Sequence, residues 1–335
     1  MRPPAFWRAG LDPYSREAAP MLRVMLTPAS WLTARIHKRK LARTPTQTVP
    51  AKIISIGGLT VGGVGKTPFT QLIRQELESC SGRRIASLSR GYGGKFGKVP
   101  LKVDAAQHTA REIGDEPLLL GQTGESWIGR DKAAAAAAMS EAGVEIILMD
   151  DGHQSVGIQK DLSIVVLDGA APFGNGFVFP KGPLREPARS GLLRADLIIW
   201  LGAEQVPQQL LDTGLPFFTG TKTLQVDQPY SGPTVAFAGI SNPYAFFDML
   251  TGAEYALKEA IAYDNHYAYK PSDLSFLERL AGDYDARLVT TEKDWIRLPD
   301  AFKSKVSAIP LRIKLDDRDG LMAAIEDRLR LKAPR

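Results

Sequence analysis

The stretch Ile53-Ile54-Ser55-Ile56-Gly57-Gly58-Leu59-Thr60-Val61-Gly62-Gly63-Val64-Gly65-Lys66-Thr67-Pro68 constrains the fold more than any other. A short apolar run ends in glycines and a helix-forming stretch leaves them, so a buried strand enters a tight turn that opens a helix. Glycines let successive backbone N–H groups point at one anion without Cβ clashes. The helix N-terminus adds free donors and a favourable dipole. An ordinary strand-to-helix turn has no need of a lysine followed by a threonine. We read Thr60, Val61, Gly62, Gly63, Val64 and Gly65 as the backbone cradle of a nucleotide's phosphates. Lys66 then reaches the β- and γ-phosphates, and Thr67 offers its hydroxyl to Mg2+. The strict spacing asks for glycine where Thr60 stands, so this is a variant of such a loop.

Around this loop the apolar pattern alternates. Further buried-strand runs occur at Ile85–Leu88, Ile146–Met149, Leu162–Leu167 and Leu197–Leu201, with helical segments at Thr67–Glu78 and Arg130–Ala142. Strands separated by helices pair in parallel, so residues 46–228 read as a P-loop α/β domain, a mostly parallel sheet flanked by helices. A weaker series follows: strands at Thr234–Ala238, Ala256–Ala262, Leu288–Thr290 and Ala308–Ile313, and helices near Tyr244–Thr251 and Ser272–Ala281. The turn-rich Pro229-Tyr230-Ser231-Gly232-Pro233 sets it apart as a smaller C-terminal α/β domain over 229–335. The length of 335 residues suits about two such units. With Cys80 the sole cysteine, internal disulfides and cysteine zinc sites are excluded.

A phosphate loop needs a carboxylate at a neighbouring strand end to hold the metal and its waters. Asp150 and Asp151, after Ile146–Met149, have that position, Asp150 as direct ligand and Asp151 to order it or the waters. Asp115 and Glu116 form a further acidic pair. Either could accept a proton from an attacking hydroxyl, and Glu116 could join the metal's carboxylates. Before Pro117 and Leu118-Leu119-Leu120, Asp115 also reads as a helix N-cap, the reading that spacing alone favours.

Residues 1–43 carry nine Lys and Arg against Asp12 and Glu17, a local charge of +7, while the whole chain carries only +5. So mild an overall charge does not point to nucleic acid, and nothing calls for an obligate protein partner. Leu22, Met25, Leu26, Ala29, Leu32 and Ile36 fall on one helical face. Thr27-Pro28 reads as an N-cap and first helical residue, so two short helices are expected here. Phe6, Trp7 and Trp31 with cationic flanks suit a membrane interface. A pair of helices packed on the domain, with their charges solvated, would look the same. No apolar run reaches the roughly 18–20 residues of a membrane span, and arginines interrupt any export signal.

In order along the chain stand the P-loop with Thr67-Pro68, Ser89-Arg90-Gly91-Tyr92-Gly93, Gly114-Asp115-Glu116-Pro117, and Asp150-Asp151-Gly152-His153-Gln154. Then come Gly174-Asn175-Gly176, Pro180-Lys181-Gly182-Pro183-Leu184-Arg185-Glu186, Ala238-Gly239-Ile240-Ser241-Asn242-Pro243, Asp264-Asn265-His266 and Thr290-Thr291-Glu292-Lys293-Asp294. Together these blocks resemble the tetraacyldisaccharide 4'-kinases, the lipid A 4'-kinases of Gram-negative bacteria. The resemblance implies transfer of the ATP γ-phosphate, with Mg2+, to the 4'-hydroxyl of a tetraacyl glucosamine disaccharide 1-phosphate. It implies Asp115 as general base supported by His266, reversing the preference for a cap. The family often has two adjacent histidines where this chain has Asn265 and His266, and a histidine where it has Ser155; His153 receives no catalytic role.

The anionic sugar substrate suits Arg90, Lys181 and Arg185, with Asn175 and Glu186 in the same rigid loops. Its acyl chains must be met at a membrane surface, which gives the basic N-terminus a purpose, and the resemblance implies attachment to the cytoplasmic face of the inner membrane. The alternative from another class is a P-loop switch or assembly ATPase, which would not need the downstream blocks.

Overall fold

The computed structural model describes residues 3–12, 15–96, 98–202, 204–226 and 230–330. Arg2 of the basic N-terminus, Pro229 and the expected 228/229 boundary, and residues 331–335 lie outside them.

Nine strands form the large sheet: β1 (Lys52–Gly57), β2 (Ile85–Ser89), β3 (Leu101–Lys102), β4 (Ser126–Ile128), β5 (Ile146–Asp150), β6 (Leu162–Asp168), β7 (Leu197–Leu201), β8 (Phe217–Leu224) and, from much later in the chain, β13 (Leu311–Leu315). Their order is β13-β8-β7-β6-β1-β5-β2-β4-β3. The seven inner strands run parallel, and β13 and β3 close the edges antiparallel. β1 is central, buried on both faces, which is why its sequence is a continuous apolar run rather than an alternating one. Helix Lys66–Ser81 buries Phe69, Ile73 and Leu77 on one face of the sheet, each worth about 2 kcal/mol. The alanine-rich helix Lys132–Glu141 covers the other face beside Ile53 and Ile147, and Asp131 caps its start.

A second sheet, of order β10-β9-β11-β12, is all parallel and comprises β9 (Pro233–Ala238), β10 (Ala256–Ala262), β11 (Arg287–Thr291) and β12 (Val306–Ile309). The single strand expected over Ala308–Ile313 is two strands, because Pro310 lacks the N–H a ladder needs. β12 ends the small sheet, and β13 crosses to the large one, pairing Ile313 with Lys222. Helix Arg318–Leu329 follows, burying Leu321, Ile325 and Leu329 in the large unit's core.

At the N-terminus, helices Pro20–Met25 and Thr27–Arg43 are almost continuous. Thr27 is not the cap: Leu26 holds that position, and the Thr27 hydroxyl donates back to the Arg23 carbonyl at 3.0 Å. Both helices leave Met21, Val24, Met25, Trp31, Leu32 and Ile36 exposed. Among the described residues no helix is long and apolar enough to cross a membrane.

Candidate active site

A cavity of about 1020 Å3 lies between the two sheets, at the C-terminal ends of the large sheet's strands. The P-loop residues Val61–Thr67 line it, with Asp150, Asp151 and Glu116 opposite and His266, Lys293 and Arg297 from the small-sheet side.

The loop is built as its glycines require. Gly62 and Gly65 take φ of +127° and +102°, a region closed to most side-chain-bearing residues. Thr60 bridges Leu184, and the Val61 N–H donates to the Pro183 carbonyl at 2.8 Å, so the Pro183-Leu184 segment backs the loop. The Gly63 N–H donates to Ser241 Oγ at 2.8 Å, a contact reaching in from the second unit. Lys66 Nζ folds over the loop, 3.3 Å from the Gly62 carbonyl and 3.4 Å from Asp151 Oδ1. The Thr67 hydroxyl donates to Asp150 Oδ2 at 3.1 Å.

Asp150, the last residue of β5, is buried at the centre. Burial, together with the charges of Glu116 and Asp151, pushes its carboxyl up to about 6. Asp151 turns out of the strand in a left-handed conformation, and its Oδ2 accepts from Arg185 at 2.7 Å. Burial alone would raise the Asp151 carboxyl, but Lys66, Arg185 and Lys132 hold it well below the usual carboxylate range. Its Oδ1 is buried and makes no hydrogen bond. Lys132 passes beneath, donating to the Asp150 carbonyl at 2.7 Å and the Asp151 carbonyl at 3.1 Å. Burial pulls its ammonium down to about 8 despite the nearby Asp151 and Asp150. Glu116 Oε1 pairs with Lys293 Nζ at 2.9 Å.

Asp115 opens helix Asp115–Gln122, with Gly114 in the cap position. Its Oδ1 accepts the Glu116 N–H at 3.0 Å, a local N-terminal bond. Its Oδ2 faces His266 Nδ1 at 3.0 Å and the Arg297 guanidinium. Burial opposes ionisation, yet the His266 hydrogen bond, Arg297 and Lys293 hold the Asp115 carboxyl far below its ordinary range. Asp115 itself does not line the cavity, whereas His266 does. His266 sits at φ +57°, and its ring packs against Tyr92 at 5.5 Å between centroids, tilted by 57°.

The residues expected at the sugar phosphate divide. Arg90 and Arg185 line the cavity. Asn175 and Lys181 do not. The Asn175 amide donates to the Phe6 carbonyl at 2.7 Å and the Lys181 carbonyl at 3.0 Å. Lys181 donates to Thr27 Oγ1 at 3.0 Å and lies 4.0 Å over the Phe177 ring. Both fasten the N-terminal segment to the domain. Glu186 is fully buried, paired with Arg194 at 2.6 and 2.7 Å and accepting from Gln154 at 3.2 Å. Buried His153 bridges Ser163 Oγ and the Gly191 carbonyl, away from the cavity. The sequence reading gave no role to Lys132, Ser241, Lys293 or Arg297. Lys293 and Ser241 lie inside quoted blocks, whereas Lys132 and Arg297 are found only by where the fold brings them.

The model of the tetraacyldisaccharide-1-P 4'-kinase family (LpxK) matches residues 22–330. A tetraacyldisaccharide 4'-kinase of Hyphomonas neptunium is 48% identical over 325 residues, 97% of each chain. One of Maricaulis maris is 41% identical, over 98% of this chain and 97% of its own. Among solved structures, LpxK from Aquifex aeolicus, described as in complex with ATP, superposes with a TM-score of 0.72 at 24% identity. The match covers 92% of this chain and 99% of that one.

Proposed function

The chain belongs to the tetraacyldisaccharide-1-P 4'-kinase family and is a kinase, and we propose that it moves the ATP γ-phosphate to the substrate's 4'-hydroxyl with the residues around this cavity in the following roles. The backbone amides of Gly62–Thr67 receive the β-phosphate, and Lys66 neutralises charge on the γ-phosphate. Thr67 and Asp150 would hold Mg2+, and Asp151 would order its waters. The residues fit that ion. Asp150 is crowded by two other carboxylates, a repulsion a divalent cation relieves, and Asp151 Oδ1, paired only with Lys66 at 3.4 Å, has room for a hydrogen bond from the ion's waters. The few protein donors suit an ion that keeps waters and phosphate oxygens in its shell. When bound, magnesium supplies neutralisation of the phosphate charge. Glu116, tied to Lys293, would border this shell rather than complete it.

Proton removal falls to the Asp115–His266 pair, and the contact that carries this reading is the 3.0 Å hydrogen bond between them. Asp115 orients the ring through Nδ1 and stabilises its protonated form, and His266 Nε2 accepts the 4'-hydroxyl proton. Asp115 is thus the orienting carboxylate rather than the acceptor expected from the resemblance. What supports this division is its burial and its firmly anionic state. Arg90 and Arg185 would meet the sugar's 1-phosphate.

The acyl chains demand a membrane surface, and the exposed Met21, Val24, Met25, Trp31, Leu32 and Ile36 beside Arg35, Lys38, Arg39 and Lys40 suit one. The reading is peripheral attachment to the cytoplasmic face of the inner membrane. The test of the site is His266→Ala and Asp115→Asn. Both should lose at least about 100-fold in kcat while the Kd for ATP stays within about threefold. Unchanged kcat in both variants refutes the pair.

A further inference from the structure

Arg297 has no place in the roles above, yet its guanidinium is buried at the cavity and bonded at both ends. Its side chain is 8% exposed. Nη1 donates to the Gly239 carbonyl and to Asp294 Oδ1, both at 3.0 Å. Nη2 donates to Asp115 Oδ2, across the gap between the two units. The Gly239 carbonyl that receives Arg297 also accepts the His266 N–H at 2.9 Å. Gly239 N–H in turn donates to Asp294 Oδ1, and Tyr269 donates to the same oxygen at 2.8 Å. A Cβ on Gly239 would come within 3.0 Å of both the Asp264 carbonyl and Asp294 Oδ1, so the cluster closes tightly over a bare backbone. The small-sheet side therefore presents His266 and Arg297 as one rigid body, hung on one carbonyl.

We propose that Arg297 is a positioning residue that docks Asp115 of the large unit onto His266 of the small one, so that the proton-accepting pair exists only when the two units are engaged. This rests on the Asp115–His266 reading. The chemistry requires arginine. One end of the planar fork is used to hold the small unit's own framework, and the other reaches the carboxylate. A lysine has a single nitrogen and can serve one end only. Without the Nη2 bond, Asp115 is free to rotate away from Nδ1, and the ring loses its orientation.

Because Arg297 acts through Asp115, its effect must vanish where Asp115 can no longer orient the ring. Measured on the full chain with ATP and a detergent-dispersed tetraacyl disaccharide 1-phosphate, Arg297→Lys and Arg297→Ala should each lower kcat at least 30-fold. KM for both substrates should stay within about threefold. Millimolar guanidinium should restore part of the Arg297→Ala turnover. In an Asp115→Asn background, Arg297→Ala should cost less than threefold more. Folding is monitored by near-UV circular dichroism and Tm; if Arg297→Ala does not fold, the Lys variant carries the cycle. Wild-type kcat in a folded Arg297→Lys protein, or full additivity with Asp115→Asn, overturns the proposal. Were Asp115→Asn and His266→Ala themselves active, the underlying pair would fail instead, a result readable from those single variants alone.

Discussion

At the scale of residues, the site is a balance of buried charge. Lys66, Lys132 and Arg185 surround Asp151, and His266, Arg297 and Lys293 surround Asp115, so two carboxylates stay ionised where burial alone would protonate them. Lys66→Ala should therefore do more than remove a phosphate ligand. It strips a charge from Asp151 and Asp150 together, and kcat should fall at least about 100-fold, measured at saturating ATP. The same arithmetic holds away from the cavity at Glu186. Burial would raise its carboxyl, but nearby His37, the hydrogen bonds and charge of Arg194 and the Gln154 bond hold it well below its ordinary range. A carboxyl depressed in the folded state adds stability above its unfolded value near 4.5 and loses it as pH falls through the folded one. Arg194→Ala should cost about 3 kcal/mol at pH 7, seen as a lower Tm, and the gap to wild type should narrow below pH about 4.5. The glycine-rich loop, Asp150 and Asp151 meet at the cavity as expected because glycine spacing and a strand end have local signatures. Asn175, Lys181 and Glu186, expected at the substrate, do not line the cavity, because a polar residue in a rigid loop reads alike whether it faces a ligand or ties two segments together.

At the scale of elements, β1, β2, β5, β6 and β7 and the helices Lys66–Ser81 and Lys132–Glu141 are readable because each satisfies one period of burial, whereas inner strand β8 and helix Arg318–Leu329 are not. β10 spans the expected Ala256–Ala262, and helix Lys66–Ser81 extends the expected Thr67–Glu78 by a residue at its start and three at its end. Other elements escape the reading for reasons of length or of distance along the chain. β3 and β4 are two and three residues long, too short for a pattern, and β13 was hidden because its ladder partner is β8, some ninety residues earlier. The N-terminal helices carry their own prediction. Their apolar residues face solvent while Ser30 Oγ donates to the buried Val178 carbonyl at 2.6 Å and Trp7 to the Pro180 carbonyl at 3.0 Å, which fixes the segment's opposite side to the domain. Replacing Trp31, Leu32 and Ile36 with serine should therefore leave Tm within about 2 °C. It should weaken sedimentation with anionic phospholipid vesicles at least tenfold, and activity on detergent-dispersed substrate should be unchanged. Equal vesicle binding would show that these helices are only domain packing.

At the scale of the whole molecule, the cavity belongs to neither unit. The large unit brings the glycine-rich loop with Glu116, Asp150 and Asp151. The small sheet brings His266, Lys293, Arg297 and Ser241, and Ile296 packs beside Ile113, Leu118 and Leu119 to seal the seam. β13 then returns the chain to the large sheet, so the small one is inserted between β8 and β13 rather than appended. Insertion fixes both ends of the small unit to the body that binds phosphate, a design suited to closure about short connections. This cleft transfers phosphate to a lipid-bearing sugar rather than to water. Thin-layer chromatography with γ-labelled ATP and a defined tetraacyl glucosamine disaccharide 1-phosphate tests it directly, with mass spectrometry to locate the label. Label should appear in the lipid, on the 4'-oxygen, and Lys66→Ala should abolish it. Label appearing only as inorganic phosphate, with the lipid unchanged, would contradict it.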